Sequence, residues 1–255
     1  MGNKLAIKSQ LDEYIEKYET ADFIKDDPVN FLYKFNGKRN KELAGFIASS
    51  FAYGKREVFI SKLNYIFGLM DNKPLDYIKS GDFKNIKNCD YRFSKDIDFL
   101  QMLKILNALY SEGETLESLF EYAYKQGSSI WQMFQGVVDY FYARVNENKI
   151  TKGFYHLLPN PEKKSALKRL NMLLRWYVRK SEVDIGIWNF IPKSELLIPL
   201  DTHVAKISRK LNLLKRNDNG YESVIELTNN LKRFDNEDPV KYDFALFGYG
   251  VNNQV

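Results

Sequence analysis

In Leu43-Ala44-Gly45-Phe46-Ile47-Ala48-Ser49-Ser50-Phe51, the residues Leu43, Phe46, Ile47, Ser50 and Phe51 recur three and four positions apart. That spacing lines one face of an α-helix and no face of a β-strand. Phe99, Leu103, Leu106 and Tyr110 repeat it. The same periodicity predicts helices at about Leu5–Tyr18, Glu57–Met70, Thr115–Tyr124, Ile130–Val145, Glu162–Lys180, His203–Leu213, Tyr221–Phe234 and Pro239–Phe247. Strict apolar/polar alternation is nearly absent, so the expected fold is all-α.

The chain's 255 residues are 44% hydrophobic and 28% charged, with 14 Gly and 7 Pro, a composition that excludes a disordered or collagen-like chain. No apolar run approaches the roughly 20 residues of a membrane span, and the opening MGNKLAIKSQLDEY lacks a signal-peptide core. With one cysteine, Cys89, and only two histidines, neither a disulfide nor a metal cluster is expected, and a reducing cytoplasmic setting fits. The net charge of +5 permits a polyanionic partner without requiring one. There is no repeat or low-complexity tract. The chain reads as one unit, 1–255, with helical subdomains 1–150 and 151–255 meeting near Asn146–Gly153.

Two predicted helix starts carry polar chemistry. Asn160 and Pro161 suit the N-cap and first turn of a helix running to Lys180, and Asp201 suits the cap of a helix opening at Thr202. On the first of these, an advance of 100° per residue groups Lys164, Lys168, Arg175 and Arg179 within about 60°, with Asn171 beside them. A cationic stripe of this kind serves phosphate contact, and it equally describes a solvated face. Lys206, Arg209 and Lys210 form a second basic cluster on the helix after Asp201.

Pro199-Leu200-Asp201-Thr202-His203-Val204, followed by Arg209 and Leu211, resembles the aspartate motif of helix-hairpin-helix DNA glycosylases. The resemblance implies two helical subdomains around a central cleft, with Asp201 in the cleft where a flipped nucleotide binds. Asp201 as a simple helix cap remains open beside that role. Members that also cleave abasic sites carry a nucleophilic lysine upstream. Lys168-Arg169-Leu170-Asn171-Met172-Leu173-Leu174-Arg175 resembles the corresponding helix of archaeal-type 8-oxoguanine glycosylases, which makes Lys168 the first choice, ahead of Lys180 and Lys164. On that alignment Ser181–Glu195 is an insertion. The family's Gly-rich hairpin before the lysine is missing, and Leu158-Pro159-Asn160-Pro161-Glu162-Lys163-Lys164-Ser165 stands there instead.

The segment from Leu43 to Gly54 looks like the early helix whose end enters the minor groove in these enzymes, with Tyr53, Lys55 and Arg56 as candidate contacts. Asp243-Phe244-Ala245-Leu246-Phe247-Gly248-Tyr249-Gly250 is similar to the last core helix. Over its length the chain resembles a DUF2400-like, uncharacterised bacterial family of the same superfamily. The implied function is a base-excision-repair glycosylase and abasic-site lyase on double-stranded DNA carrying a damaged base, monomeric, cytoplasmic and nucleoid-associated, and needing no cofactor or metal. Lys168 would attack C1′ as a neutral amine, favoured by Lys164, Arg175 and Arg179, while Asp201 stabilises charge developing on the sugar. DNA contacts would come from Lys164, Arg175, Arg179, Lys206, Tyr53, Lys55 and Arg56. Trp176, Tyr177, Trp188 and Phe247 are aromatics able to stack on a flipped base. The alternative is a non-catalytic helical DNA-binding protein on the same scaffold, and a helical protein-interaction domain is a third reading.

Overall fold

The computed structural model describes residues 2–252, and among them the regular structure is helical, with isolated β-bridges and no strand. In chain order the α-helices are α1 (Gly2–Tyr18), α2 (Asn30–Tyr33), α3 (Lys38–Phe51), α4 (Arg56–Leu69), α5 (Pro74–Ser80), α6 (Asp96–Ser111), α7 (Leu116–Gln126), α8 (Ile130–Tyr142), α9 (Phe154–Leu157), α10 (Lys168–Val178), α11 (Thr202–Lys210), α12 (Tyr221–Lys232) and α13 (Asp243–Asn252). The chain divides into two compact units. One joins Met1–Lys25 to Lys163–Val255, and the other is Asp26–Glu162. The stretch Asn146–Gly153, read from sequence as a boundary, lies inside the second unit, and the N-terminal helix belongs to the first.

In the first unit α13 is the central element, with α1 and α11 packed on it. Its glycines make this possible. A Cβ at Gly248 would run into the Tyr18 ring, and one at Gly250 would stand 3.2 Å from His203 Cβ and 3.3 Å from Ile207 Cγ1. Gly248 lies inside α13, which continues to Asn252, beyond the expected helix end at Phe247. Tyr14 and Tyr249 stack at 4.4 Å across the same packing. The expected helix at Glu162–Lys180 is also revised. Pro161–Lys163 is a single 3-10 turn, which Asn160 caps by accepting from Glu162 N at 2.9 Å. The α-helix starts only at Lys168, because Lys164 and Leu167 are left-handed.

The second unit is a helical core in which α8 follows the pattern read from sequence. Ile130, Met133, Phe134, Val137, Val138 and Phe141 are all buried, an unbroken i, i+3, i+4 stripe. Ser129 caps it by accepting from Gln132 N at 3.3 Å. The chief polar tie is Glu42 on α3, which is fully buried. It accepts from Tyr110 Oη on α6 at 2.9 Å, from the backbone N–H of Glu117 in the first turn of α7, and from Arg39 at 3.1 Å. Burial raises its carboxyl above the usual range against the pull of these donors.

Glu42→Ala strands the Tyr110 hydroxyl and the Glu117 amide, and we expect a loss of about 2–4 kcal/mol in urea unfolding, with Glu42→Gln losing less. Equal stability of Glu42→Ala and the wild type would show that the tie contributes nothing.

Candidate active site

The start of α10 is built from strained backbone. Lys164 has φ +50° and Leu167, at the helix cap, has φ +45°. These left-handed conformations cost non-glycine residues about 1 kcal/mol or more each and persist where the surroundings enforce them. Here Lys164 C=O accepts from Tyr221 N at 2.9 Å, Ser165 bridges to Gly220, and Asn171 Nδ2 donates to Ala166 C=O at 3.0 Å. The backbone shape that glycines would allow is thus taken up by Lys164 and Leu167, pinned from the start of α12 and by Asn171. The turn places Lys168 at the first position of α10, half-buried.

Asp201 caps α11, its Oδ1 accepting from Val204 N at 2.9 Å. The cap role expected from sequence is therefore present, and Asp201 stays half-buried. A third residue, passed over in the sequence reading as a catalytic candidate, lies within electrostatic reach of both Lys168 and Asp201. Asp243, at the first position of α13, is buried, is hydrogen-bonded by Arg175 Nη1, and feels the charges of both Asp201 and Lys168. Burial pushes its carboxyl up to about 6. Arg175 and Lys168 oppose the shift, and Asp201 and Asp184 add to it. An acid titrating near neutrality beside an amine and a second carboxylate can hold or pass a proton. The sequence signal was an aspartate opening an otherwise apolar helix.

The cationic stripe does not exist as a surface. Arg175 and Arg179 are 3% and 4% exposed, and Asn171 is equally buried. Asp184 accepts from Arg175 Nε at 3.2 Å and also from Arg179 Nη1; Arg179 further binds Asp238 at 3.0 Å and Glu19 at 2.9 Å. Four carboxylates, Asp184 just beyond the helix and Glu19, Asp238 and Asp243 far from it in sequence, thus turn this face of α10 inward, and neither arginine is available to phosphate or free to favour a neutral Lys168. The stretch read as an insertion supplies the central partner. It folds back on α10, with Ile185 N and Gly186 N donating to Trp176 C=O and Trp188 N to Tyr177 C=O, and Val183, Asp184 and Trp188 are buried. Trp176 and Tyr177 are also in the core, so of the four aromatics only Phe247 is partly exposed, its ring edge-on to His203 at 6.2 Å.

Lys164 and Lys206 are exposed, as expected, whereas Arg209 is occupied by Arg216 C=O, Asp218 C=O and Asn219 Oδ1, each at 2.7 Å. Tyr53, Lys55 and Arg56 lie in the other unit. Lys55 is exposed and Arg56 half-buried, while Tyr53 Oη donates to Tyr91 C=O at 3.1 Å. Cys89 is buried and its thiol is pushed up to about 12, which removes it as a nucleophile. Among the described residues no group of three or more His, Cys, Asp or Glu is placed to hold a metal ion, and no helix is long and apolar enough to cross a membrane.

The raised Asp243 carboxyl has a signed consequence. Below the unfolded value of 3.8 both states are protonated; from there to about 6 the folded state keeps a proton that the unfolded state has lost, so stability falls as pH rises and then levels. Urea unfolding between pH 4 and 7 is expected to show about 2 kcal/mol less of this decline in Asp243→Asn than in the wild type. A carboxyl carbon signal titrating near 4 in NMR would contradict it.

A family model described as a protein of unknown function, DUF2400, matches residues 27–252. No curated protein and no solved structure matches the chain. With the match covering most of its length, the chain belongs to the DUF2400 family.

Proposed function

We propose that this protein is a DNA glycosylase with abasic-site lyase activity, on a helix-hairpin-helix glycosylase-like scaffold, which removes an oxidised base, 8-oxoguanine foremost, from double-stranded DNA. One observation supports the reading: Lys168 and Asp201, chosen from motif resemblance and 33 positions apart in sequence, stand at the starts of α10 and α11 in the same unit as the buried Asp243 that opens α13, and lie within its electrostatic reach. A base inside a duplex is out of reach, so the nucleotide is rotated out at a cost of a few kcal/mol. The neutral Lys168 amine attacks C1′, the glycosidic C–N bond breaks, and the base departs with its electron pair and takes up a proton. Asp201, held as a cap, stabilises positive charge on the sugar as it develops. Breaking of the C1′–O4′ bond, with O4′ taking up a proton, gives the protonated Schiff base, and removal of a C2′ proton into that iminium then expels the 3′ phosphate. Asp243 is the candidate to relay these protons. No cofactor takes part in this scheme.

A second reading, DNA binding without excision, is favoured by the engagement of Arg175 and Arg179 with carboxylates, which removes cations that would keep the lysine neutral. Borohydride trapping separates the two. On a duplex with a single 8-oxoguanine the wild type is expected to form a covalent adduct that Lys168→Ala abolishes, and Asp201→Asn to slow excision by about a hundredfold or more. Trapping that survives Lys168→Ala moves the nucleophile to Lys180 or Lys164. Absence of trapping and excision on 8-oxoguanine, uracil and abasic duplexes, with binding intact, leaves the second reading.

A further inference from the structure

In the Asp26–Glu162 unit, Tyr91-Arg92-Phe93-Ser94 forms a tight turn closed by reciprocal backbone bonds between Tyr91 and Ser94, each 2.9 Å. Its tip exposes 54% of Phe93, which stacks on the exposed His156 ring of α9 at 4.3 Å with 18° between planes. The Arg92 guanidinium lies 5.7 Å from the Phe93 ring and 6.0 Å from that of Tyr53. We infer that this Phe93–His156 stack, flanked by Arg92, is a platform for an unpaired base of a DNA strand.

The platform is built rather than incidental. Arg92 is held at φ +51°, a conformation that a free loop of L-residues leaves. Tyr53 Oη donates to Tyr91 C=O, Tyr91 Oη donates to Tyr53 C=O, and Ser94 Oγ donates to Gly153 C=O at 3.3 Å. Gly54 adopts φ +87°, which L side chains rarely take, and a Cβ there would displace the Arg92 guanidinium, whose Nη1 would be 2.6 Å away; a Cβ at Gly153 would strike Phe93 C=O. The loop that leads to His156 is anchored in turn by the fully buried Asp98, which accepts from Thr151 N at 2.6 Å and Thr151 Oγ1 at 2.7 Å. Two rings 63 positions apart in sequence are therefore fixed in parallel at the surface.

Charge identifies the occupant. Of the nearby carboxylates, Asp90 pairs with Lys95 at 2.8 Å and Asp96 accepts from Asn88 N and Cys89 N. Arg92, Lys55 beside Gly54 and Lys152 beside Gly153 form no ion pair among the described residues. Aromatic rings that stack bases, set among uncommitted cations that meet phosphates, are the recurring means of holding an unpaired strand. The choice of DNA over RNA rests on the proposed function; the stack itself does not.

The test is fluorescence anisotropy of the full chain with lesion-free oligothymidylate, its RNA counterpart and a fully paired duplex across a salt series. Phe93→Ala is expected to weaken oligothymidylate binding about tenfold with an unchanged salt slope, since a ring and no phosphate contact is lost, and Phe93→Trp to restore it. Lys152→Ala is expected to lower the slope by about one instead. Unchanged affinity in Phe93→Ala, an equal loss on paired duplex, or preference for the RNA strand would each overturn the inference. Because no lesion or turnover is involved, failure of borohydride trapping leaves this result standing, and failure here leaves trapping standing.

Discussion

Asp184 lies fully buried between the guanidiniums of Arg175 and Arg179, and the organisation of the Met1–Lys25 and Lys163–Val255 unit depends on that pairing. A lone buried carboxylate or guanidinium is very costly, so each must be matched by partners and hydrogen bonds. Arg179 reaches Glu19 just after α1 and Asp238 just before α13, while Arg175 reaches Asp243 at the start of α13. The network fixes α10 against both chain ends, and α10 in turn sets where Lys168 stands.

The same network shapes the electrostatics of the candidate site. Four carboxylates, Glu19, Asp184, Asp238 and Asp243, meet two arginines and, at 3.7 Å from Asp238, Lys193, so negative charge is in excess by one in a poorly solvated place. The carboxyls answer by moving upward: Asp184 and Asp243 are both raised by burial, and Asp243 to about 6. Arg179 is held firmly charged, since the surrounding carboxylates outweigh the opposing effect of its burial. The result is a proton-holding acid within electrostatic reach of Lys168 and Asp201, which composition alone would not place there.

Leaving aside Gly, Asn and Asp, which adopt it readily, positive φ among the described residues falls at the two places assigned a role. Lys164 and Leu167 precede Lys168, and Arg92 precedes Phe93, all at positive φ without being glycine. In each case the conformation is enforced by hydrogen bonds from segments distant in the chain, Tyr221 in the first and Tyr53 in the second. Such enforcement holds a side chain in one orientation at the surface or in a crevice, where a relaxed loop would not.

The helical class was legible in the sequence because burial of one face imposes a period of 3.6 whatever the neighbours are; the stripes of α3, α6 and α8 follow from that. The cap at Asp201 was legible as well, since capping is local. What a helix face meets is not local. Lys164, Lys168, Arg175 and Arg179 read as one solvated stripe, yet the partners that bury the two arginines come from positions 19, 184, 238 and 243. The late start of α10, the joining of α1 to the C-terminal helices and the meeting of Phe93 with His156 likewise arise from contacts between segments far apart in the chain. Periodicity determines which residues share a face; only the tertiary structure decides whether that face meets water or countercharge, because ion pairing depends on distance in space and not along the chain.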